Sequence, residues 1–533
     1  MTFRNIALGA ALLAATALVA PDLEARTLKW ARSGDALTFD PHAQNEGPTL
    51  NLQNHVYEAL VERDHTGKMH AGLAVSWKVL PSDPTVWEFK LRPNVKFHDG
   101  ADMTADDVVF SFDRARQPTS DMKGLLTSIV SVTKVDDLTV HIKTGGPNPL
   151  LPNNLTNIYV MDKGWAEKNN VGKVQDFKNK EENFAVRNAN GTGPFVLTSR
   201  EQDVKTVLKR NDNYWGKGEV PLEITELVYT PIKSDATRVA ALLSGEVDFV
   251  QDVPVQDIER LKSGQGIRVN PGPENRTIFF GMNVAKADLE GDNVQGKNPF
   301  ADVRVREAMN MAINRQAIQR VVMRGQSFPT GVLMPPFVDG WTKELDAFPA
   351  PDMNKARALM AEAGYKDGFQ TTLHCPNDRY VNDEGICQAA AGMFGQIGIK
   401  VNLVSQSKSL HFPLIQKNPP QTDFFLLGWG VPTFDSEYIF SFLFHTRKDK
   451  FGSWNATGYS NAEMDAMIQS LSSETDKPKR DAAVAKIWAQ IQKDKIYLPI
   501  HHQALAYAMK TSVDIPVDVS NSPKLKSVSF KGM

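Results

Sequence analysis

The sequence predicts an α/β protein of several domains, and three observations carry that prediction. The chain has 533 residues, several times the roughly 150 of an average domain. Short β-branched and aromatic runs alternate with stretches of helical periodicity, the pattern of strands and helices sharing layers. One stretch, Thr371 to Val404, reads as a complete strand-helix-strand crossover, and such a unit requires parallel strands.

Composition narrows the class further. Lys and Arg number 60 against 62 Asp and Glu, so the formal charge is only -2. That balance gives no basic excess of the kind a nucleic-acid-binding domain shows, and no nucleic-acid partner is expected. Hydrophobic residues make up 41% of the chain, enough for a large core, and two cysteines exclude a small disulfide-stapled scaffold.

Met1 to Ala25 opens with Arg4, continues through an apolar, small-residue run from Ile6 to Ala20 and ends in Leu23, Glu24 and Ala25. It reads as a secretory signal peptide, because about fifteen apolar residues fall short of the roughly 20 that span a bilayer. Cleavage after Ala25 would leave 59 basic and 60 acidic residues, a formal charge of -1. The segment ends without a cysteine for lipid attachment, and no later run is long and apolar enough to cross a membrane. The expected product is soluble in the periplasm. In that oxidising compartment Cys375 and Cys387, twelve residues apart, either form a disulfide or remain as buried thiols.

Val86 to Leu91 alternates apolar and polar residues as a half-buried strand does. Thr104 then caps a helix whose first turn holds Asp106 and Asp107 and whose apolar face carries Val108, Val109 and Phe112. Carboxylates there favour the positive helix end, so these two aspartates read as helix-start chemistry. Ser234 to Val250 repeats the theme, with a helix ended by Gly245 and a short strand at Val247 to Val250. Pro- and Gly-rich stretches at Pro271 to Pro273 and Pro335 to Gly340 are candidate connections, the first a crossing between lobes.

The crossover is the most legible unit. Thr371 to His374 forms a strand, Pro376 to Asn382 a polar loop, Asp383 a helix cap, Ile386 to Ile397 a helix and Ile399 to Val404 a second strand. The loop carries Asn377, Asp378, Arg379 and Tyr380 and lies at a strand's carboxyl end, where open α/β sheets place ligand crevices. A further apolar run, Phe424 to Leu427, ends in Gly428, Trp429 and Gly430, so Trp429 is expected at a comparable edge.

Enzyme signatures fail. Gly291, Gly296 and Lys297 match a phosphate-loop spacing, but Asn298 replaces the Ser or Thr and Pro299 stands where the helix should begin. Gly191 and Gly193 lack the third glycine of a dinucleotide fingerprint, and no Gly-x-Ser-x-Gly or His-Glu-x-x-His occurs. His501 and His502 would point to opposite faces of an extended strand, one in the core and one exposed, which suits no shared metal. His42, His55, His411 and His445 are scattered. No catalytic residue, metal or cofactor is expected.

Several motifs together resemble one family. Leu91-Arg92-Pro93-Asn94-Val95-Lys96-Phe97-His98-Asp99-Gly100 followed by Thr104-Ala105-Asp106-Asp107-Val108 resembles a hallmark of the peptide/nickel-class (family 5) solute-binding proteins of ABC importers. Gly191-Thr192-Gly193-Pro194-Phe195, Asn213-Tyr214-Trp215, Ser244-Gly245-Glu246-Val247-Asp248, Val303-Arg304-Val305-Arg306-Glu307-Ala308 and Gly458-Tyr459-Ser460-Asn461 follow in the family's order. The resemblance implies a two-lobed periplasmic-binding-protein clamshell of type II with an extra inserted domain. Residues 26-70, 192-284 and 501-533 would form a discontinuous domain of the first lobe, 71-191 the insert, and 285-500 the second lobe. The implied role is capture of a peptide or carboxylated amino-acid derivative between lobes and delivery to an inner-membrane ABC permease driven by a cytoplasmic ATPase, the binding protein acting as a monomer. Opine or nickel-complex binding in the same transport class, an exported hydrolase, and a chaperone or signalling receptor on the same scaffold are the alternatives.

The same resemblance points to site residues. In dipeptide-binding relatives an arginine and a tyrosine of the strand-to-helix loop engage the ligand carboxylate, and Arg379-Tyr380 resembles that pair. A guanidinium suits the task because two parallel hydrogen bonds fix a carboxylate's orientation. The competing role for Arg379 is an internal salt bridge to Asp378 or Asp383. Trp429, with Phe434 and Tyr438, would wall the site or else form an aromatic core. Peptide-binding relatives carry an acid three positions after the tryptophan, where this chain has Pro432. Amine recognition must therefore pass to Asp435 or Glu437, come from Glu46 or Asp40 in the other lobe, or be absent.

Overall fold

A computed structural model of the protein describes residues 26-294, 296-448 and 450-530. The proposed signal peptide, Met1 to Ala25, lies outside the described residues. An 11-stranded sheet organises the molecule, with a separate four-stranded antiparallel sheet between Ala74 and Thr144 and a small two-stranded one. No described helix is long and apolar enough to cross a membrane.

The large sheet has two halves. In one, Thr27-Arg32 pairs in parallel with Glu226-Pro231 and Phe249-Val250, and the antiparallel strands Lys205-Arg210 and Phe195-Glu201 extend the edge. In the other, Phe369-Pro376 pairs in parallel with Ile399-Gln406 and touches Phe424-Gly430. Two long antiparallel strands, Ile267-Met282 and Tyr497-Lys510, run from one half into the other. Their register shifts between Pro273 and Thr277, where a bulge bends the ribbon between the halves. The crossing expected as a Pro-rich connection is thus a continuous strand. Pro271 and Pro273 are tolerated because Phe424-Gly430 pairs only from Arg276 onward, leaving the proline segment unpaired on that side.

Local signals explain the helices that matter. Thr104 and Asp107 form a reciprocal capping box that starts Ala105-Ala115, and Val108 and Phe112 are fully buried on its inner face. Ser234 caps Asp235-Leu243 through a bond from Thr237 N. The crossover helix is Asp383-Gly395, and its cap position belongs to Asn382 in the left-handed region (φ 54°), not to Asp383. Asp383 instead turns its carboxylate back to accept hydrogen bonds from the backbone N–H groups of Arg379 and Tyr380, both at 3.0 Å. The residue expected as a cap therefore fixes the loop. Cys375 and Cys387, one on the strand and one on this helix, are joined as a disulfide with Cα atoms 6.6 Å apart.

His501 and His502 are both buried, which corrects the expectation that one faces solvent. Their strand is internal, paired with Ile267-Met282 on one side and with Ser327-Pro329 on the other. Burial pushes the two imidazoles down to about 3 and about 4, so both are neutral at ordinary pH.

Candidate functional site

A cavity of about 1300 Å³, counting its open mouth, lies between the two halves of the sheet. Its wall on one side comes from Asn45, Glu46, Gly47 and Tyr57, and on the other from Arg379, Tyr380, Trp429 and Tyr438. Parallel pairing of Phe369-Pro376 and Ile399-Gln406 sets the position of the second wall, because it delivers the loop 377-382 to the strands' carboxyl ends. Trp429 belongs to the neighbouring strand Phe424-Gly430. Gly428 of that strand is required to be small, since a Cβ there would stand 2.6 Å from the Tyr380 ring, whose hydroxyl donates to Gly428 O at 3.1 Å.

Glu46 is the centre of the polar wall. It precedes the helix Gly47-Gln53 and caps it, its Oε2 accepting from Thr49 N at 2.8 Å and from the Thr49 hydroxyl at 2.7 Å. Its Oε1 reaches across the cavity to Arg379 Nε at 2.8 Å and Lys408 Nζ at 3.2 Å. Burial pushes this carboxyl up, but Lys408 and Arg379, with the Thr49 bonds, outweigh it and hold the group at about 2. Neither Asp378 nor Asp383 pairs with the Arg379 guanidinium: Asp378 accepts from Lys408 N at 2.7 Å and Asp383 from backbone. The internal salt bridge considered for Arg379 is therefore made with Glu46 of the facing half.

Arg276 is the residue that sequence reasoning missed. It sits at the end of the bulge in the crossing strand, directly opposite Gly430. Its Nε donates to Glu274 Oε1 at 2.7 Å and its Nη1 approaches Gly428 O at 3.4 Å. A Cβ on Gly47 would stand 3.0 Å from Arg379 Nη2 and 3.2 Å from Arg276 Nη2. The two guanidinium tips therefore lie no more than about 6 Å apart, a spacing at which unit charges repel by about 3 kcal/mol for an effective dielectric of about 20. Burial, then Arg276, lowers the pKa of Arg379. The only advance signal was a cation opening the apolar run Thr277 to Met282 just beyond the candidate lobe crossing.

Trp429 is both wall and core. It borders the cavity while stacking on Tyr438 at 5.6 Å and meeting Trp454 edge-on at 5.5 Å. Asn45 Nδ2 donates to the Tyr438 hydroxyl at 2.7 Å, a polar contact between halves. Behind this wall Asp121 accepts from Asn45 N at 3.1 Å, Gln416 Nε2 at 3.2 Å and Trp454 Nε1 at 3.2 Å.

The remaining candidates do not border the cavity. Asp40 is fully buried in a bidentate pair with Arg114, at 2.7 and 2.6 Å, and although burial acts to raise its pKa, Arg114 holds it at about 2. Asp435 caps Ser436-Ile439 and pairs with Arg480 at 2.7 Å. Glu437 is buried against Ser441, and burial pushes it up to about 7. Phe434 packs on Phe337 with the Arg63 guanidinium 4.7 Å above its ring. Asp378 is on the loop without lining the cavity, its backbone carbonyl against Gly34. Of the four acids proposed for an amine, only Glu46 reaches the wall, and Arg379 and Lys408 already engage it.

The arrangement can hold a carboxylate at the guanidinium end and a flat or apolar group against the aromatic wall, enclosed by halves that two long strands span. The chain is similar to the glutathione-binding protein GsiB of Pectobacterium atrosepticum, 27% identical over 92% of both chains. It is also similar to GsiB of Escherichia coli strain K12, 26% identical over 94% of this chain and 93% of the relative. Among solved structures, the periplasmic binding protein DppA of Helicobacter pylori in complex with the peptide STSA superposes with a TM-score of 0.82 at 23% identity, over 95% of this chain and 98% of that one. AgaA of A. tumefacien R10 with agropinic acid gives 0.83 at 22% identity, over 95% and 99%. The model of the bacterial extracellular solute-binding proteins, family 5 Middle, matches residues 68–451, most of the chain, and the protein belongs to that family.

Proposed function

We propose that the chain is the soluble periplasmic capture component of an ABC importer, released by cleavage after Ala25 and acting as a monomer without catalysis. Its ligand is a peptide or carboxylated amino-acid derivative, held between lobes and passed unchanged to an inner-membrane permease. The observation that carries this reading is the cavity walled by residues of both sheet halves, with Arg379 and Tyr380 on the loop at the carboxyl ends of two parallel strands. Ligand stabilises the closed arrangement because it makes contacts with both halves that the open one cannot make together. The relatives named for glutathione, a peptide and agropinic acid support an acidic, peptide-like cargo. The lobe assignment 26-70, 192-284 and 501-533 against 285-500, with 71-191 inserted, fits the four-stranded sheet between Ala74 and Thr144.

Native mass spectrometry of protein isolated without denaturation tests the reading by revealing retained cargo, and calorimetry then measures its affinity. Arg379→Ala should weaken a carboxylated ligand by at least about 1.5 kcal/mol, the value of a charged hydrogen bond. Turnover of the ligand instead of stoichiometric saturation, or unchanged affinity in the variant, would overturn it.

A further inference from the structure

Two guanidinium groups converge on the backbone of Gly47. Arg379 and Arg276 are both buried, and neither Nη2 donates a hydrogen bond to any described residue. Gly47 and Gly430 keep the space between them clear, since a Cβ on Gly430 would stand 3.5 Å from Arg276 Nη2. Around this point Arg32, Arg276, Arg379 and Lys408 are set against Asp252, Glu274, Glu46 and Asp378, the last accepting from Lys408 N. Two Nη2 groups that meet at one cleared space with no acceptor among the described residues call for an anion there.

Among the described residues the cavity offers an ammonium no comparable partner. The two carboxylates on its wall are Glu46 and Glu62. Glu46 has both oxygens engaged, by Arg379 and Lys408 on one and by Thr49 on the other. Glu62 pairs with Lys526 at 3.0 Å. Pro432 also borders the cavity and contributes no charge. The aromatic surface of Trp429, Tyr438 and Trp454 suits an apolar or amide-bearing group.

Building on the solute-binding reading, we propose that Arg276 and Arg379 form a two-guanidinium seat for one ligand carboxylate, and that the cavity selects acids whose amine is masked, such as N-acylated dipeptides. Arg276 is the specificity-determining half of this seat. Its guanidinium is held by Glu274 through the bulge of the crossing strand, so the seat is assembled at the point where the two halves turn relative to one another.

The test is calorimetry on the full mature protein, freed of cargo by dialysis, with L-alanyl-L-phenylalanine and its N-acetyl derivative. The acetylated acid should bind at least as tightly as the free dipeptide. Arg276→Gln should weaken it tenfold or more, and Arg276→Lys should restore part of the loss. Because Arg276→Gln leaves Glu274 without its cation and can disturb folding, Gly47→Ala is the second variant. It keeps every charge, places a methyl group under both guanidinium tips and should weaken the acetylated acid threefold or more at unchanged melting temperature. A free dipeptide that binds tenfold tighter than the acetylated one, no binding of the acetylated acid, or undiminished affinity in Arg276→Gln or Gly47→Ala would overturn the proposal. Binding of the free dipeptide alone would do so while leaving the solute-binding reading intact. Protein that neither retains cargo in native mass spectrometry nor binds either acid would sink both.

Discussion

Replacing Glu46 by Gln removes a charge that ties the two walls of the cavity together. The carboxylate stands on the first half and its cationic partners, Arg379 at 2.8 Å and Lys408 at 3.2 Å, on the second. Its pKa is lowered from 4.5 to about 2 in this closed arrangement, which at about 1.4 kcal/mol per pH unit amounts to about 3 kcal/mol. A carboxyl depressed in this way contributes stability that is fully present above pH 4.5 and is lost as pH falls through about 2. Opening the halves would forfeit the share that Lys408 and Arg379 supply while the Thr49 bonds, local to one half, remain, so part of this energy belongs to closure. Glu46→Gln should therefore shift unliganded protein toward the open form by up to about 3 kcal/mol, read as a larger radius of gyration in small-angle scattering and a longer distance between fluorophores placed on the two halves. The variant should also lose the acid-induced opening expected of the parent as pH falls from 4.5 to about 2. Equal closed fractions, within about 0.5 kcal/mol, and an unchanged acid response would refute the assignment of Glu46 as a link between walls.

Three further outcomes follow from the geometry. Asp40→Ala leaves Arg114 buried without its partner and should destabilise the fold by about 3-5 kcal/mol in urea unfolding, while ligand affinity, measured by calorimetry below the unfolding transition, stays within twofold; a selective loss of affinity would return Asp40 to the site. Asp121→Ala strands the donors of Trp454, Gln416 and Asn45, and should cost about 1-3 kcal/mol and raise the ligand off-rate in stopped-flow Trp fluorescence, an effect absent if Asp121 braces one half only. The double variant Cys375→Ala and Cys387→Ala opens a twelve-residue separation and should lose about 3 kcal/mol of chain-entropy stabilisation; a urea midpoint equal to the parent's would argue against it.

What could be read in advance was whatever depends on neighbours in the chain. The crossover was legible because a β-branched run, a polar loop, a helical period and a second β-branched run follow within one short stretch, and parallel pairing then leaves the loop nowhere but the carboxyl edge. Asp383 was misassigned for a related reason. Asp before a helical period signals a cap, but Asn382 occupies that position at φ 54° and frees the Asp383 carboxylate to hold the loop that presents Arg379. Asp40 was a plausible site acid until its partner was known, and that partner, Arg114, lies 74 residues away on the inner side of a helix. Nothing in local spacing announces such a pair.

Arg276 marks the deeper limit. Its role depends on three conditions that no local pattern encodes together: a bulge that shifts the register after Pro273, a glycine facing it across the sheet at Gly430, and a glycine on the opposing wall at Gly47. Each removes an obstacle that a side chain would supply, and the last comes from the other half of the molecule. The site's charges balance in the same manner. Glu46 and Lys408 offset one another only when the walls meet, and Arg276 and Arg379 repel unless an anion lies between them. Closure without ligand thus leaves a repulsion unrelieved, and ligand without closure leaves the two guanidinium tips without the Gly47 wall that faces them. The two events are coupled through the same few buried charges, which is the physical content of a binding protein that shuts on its cargo.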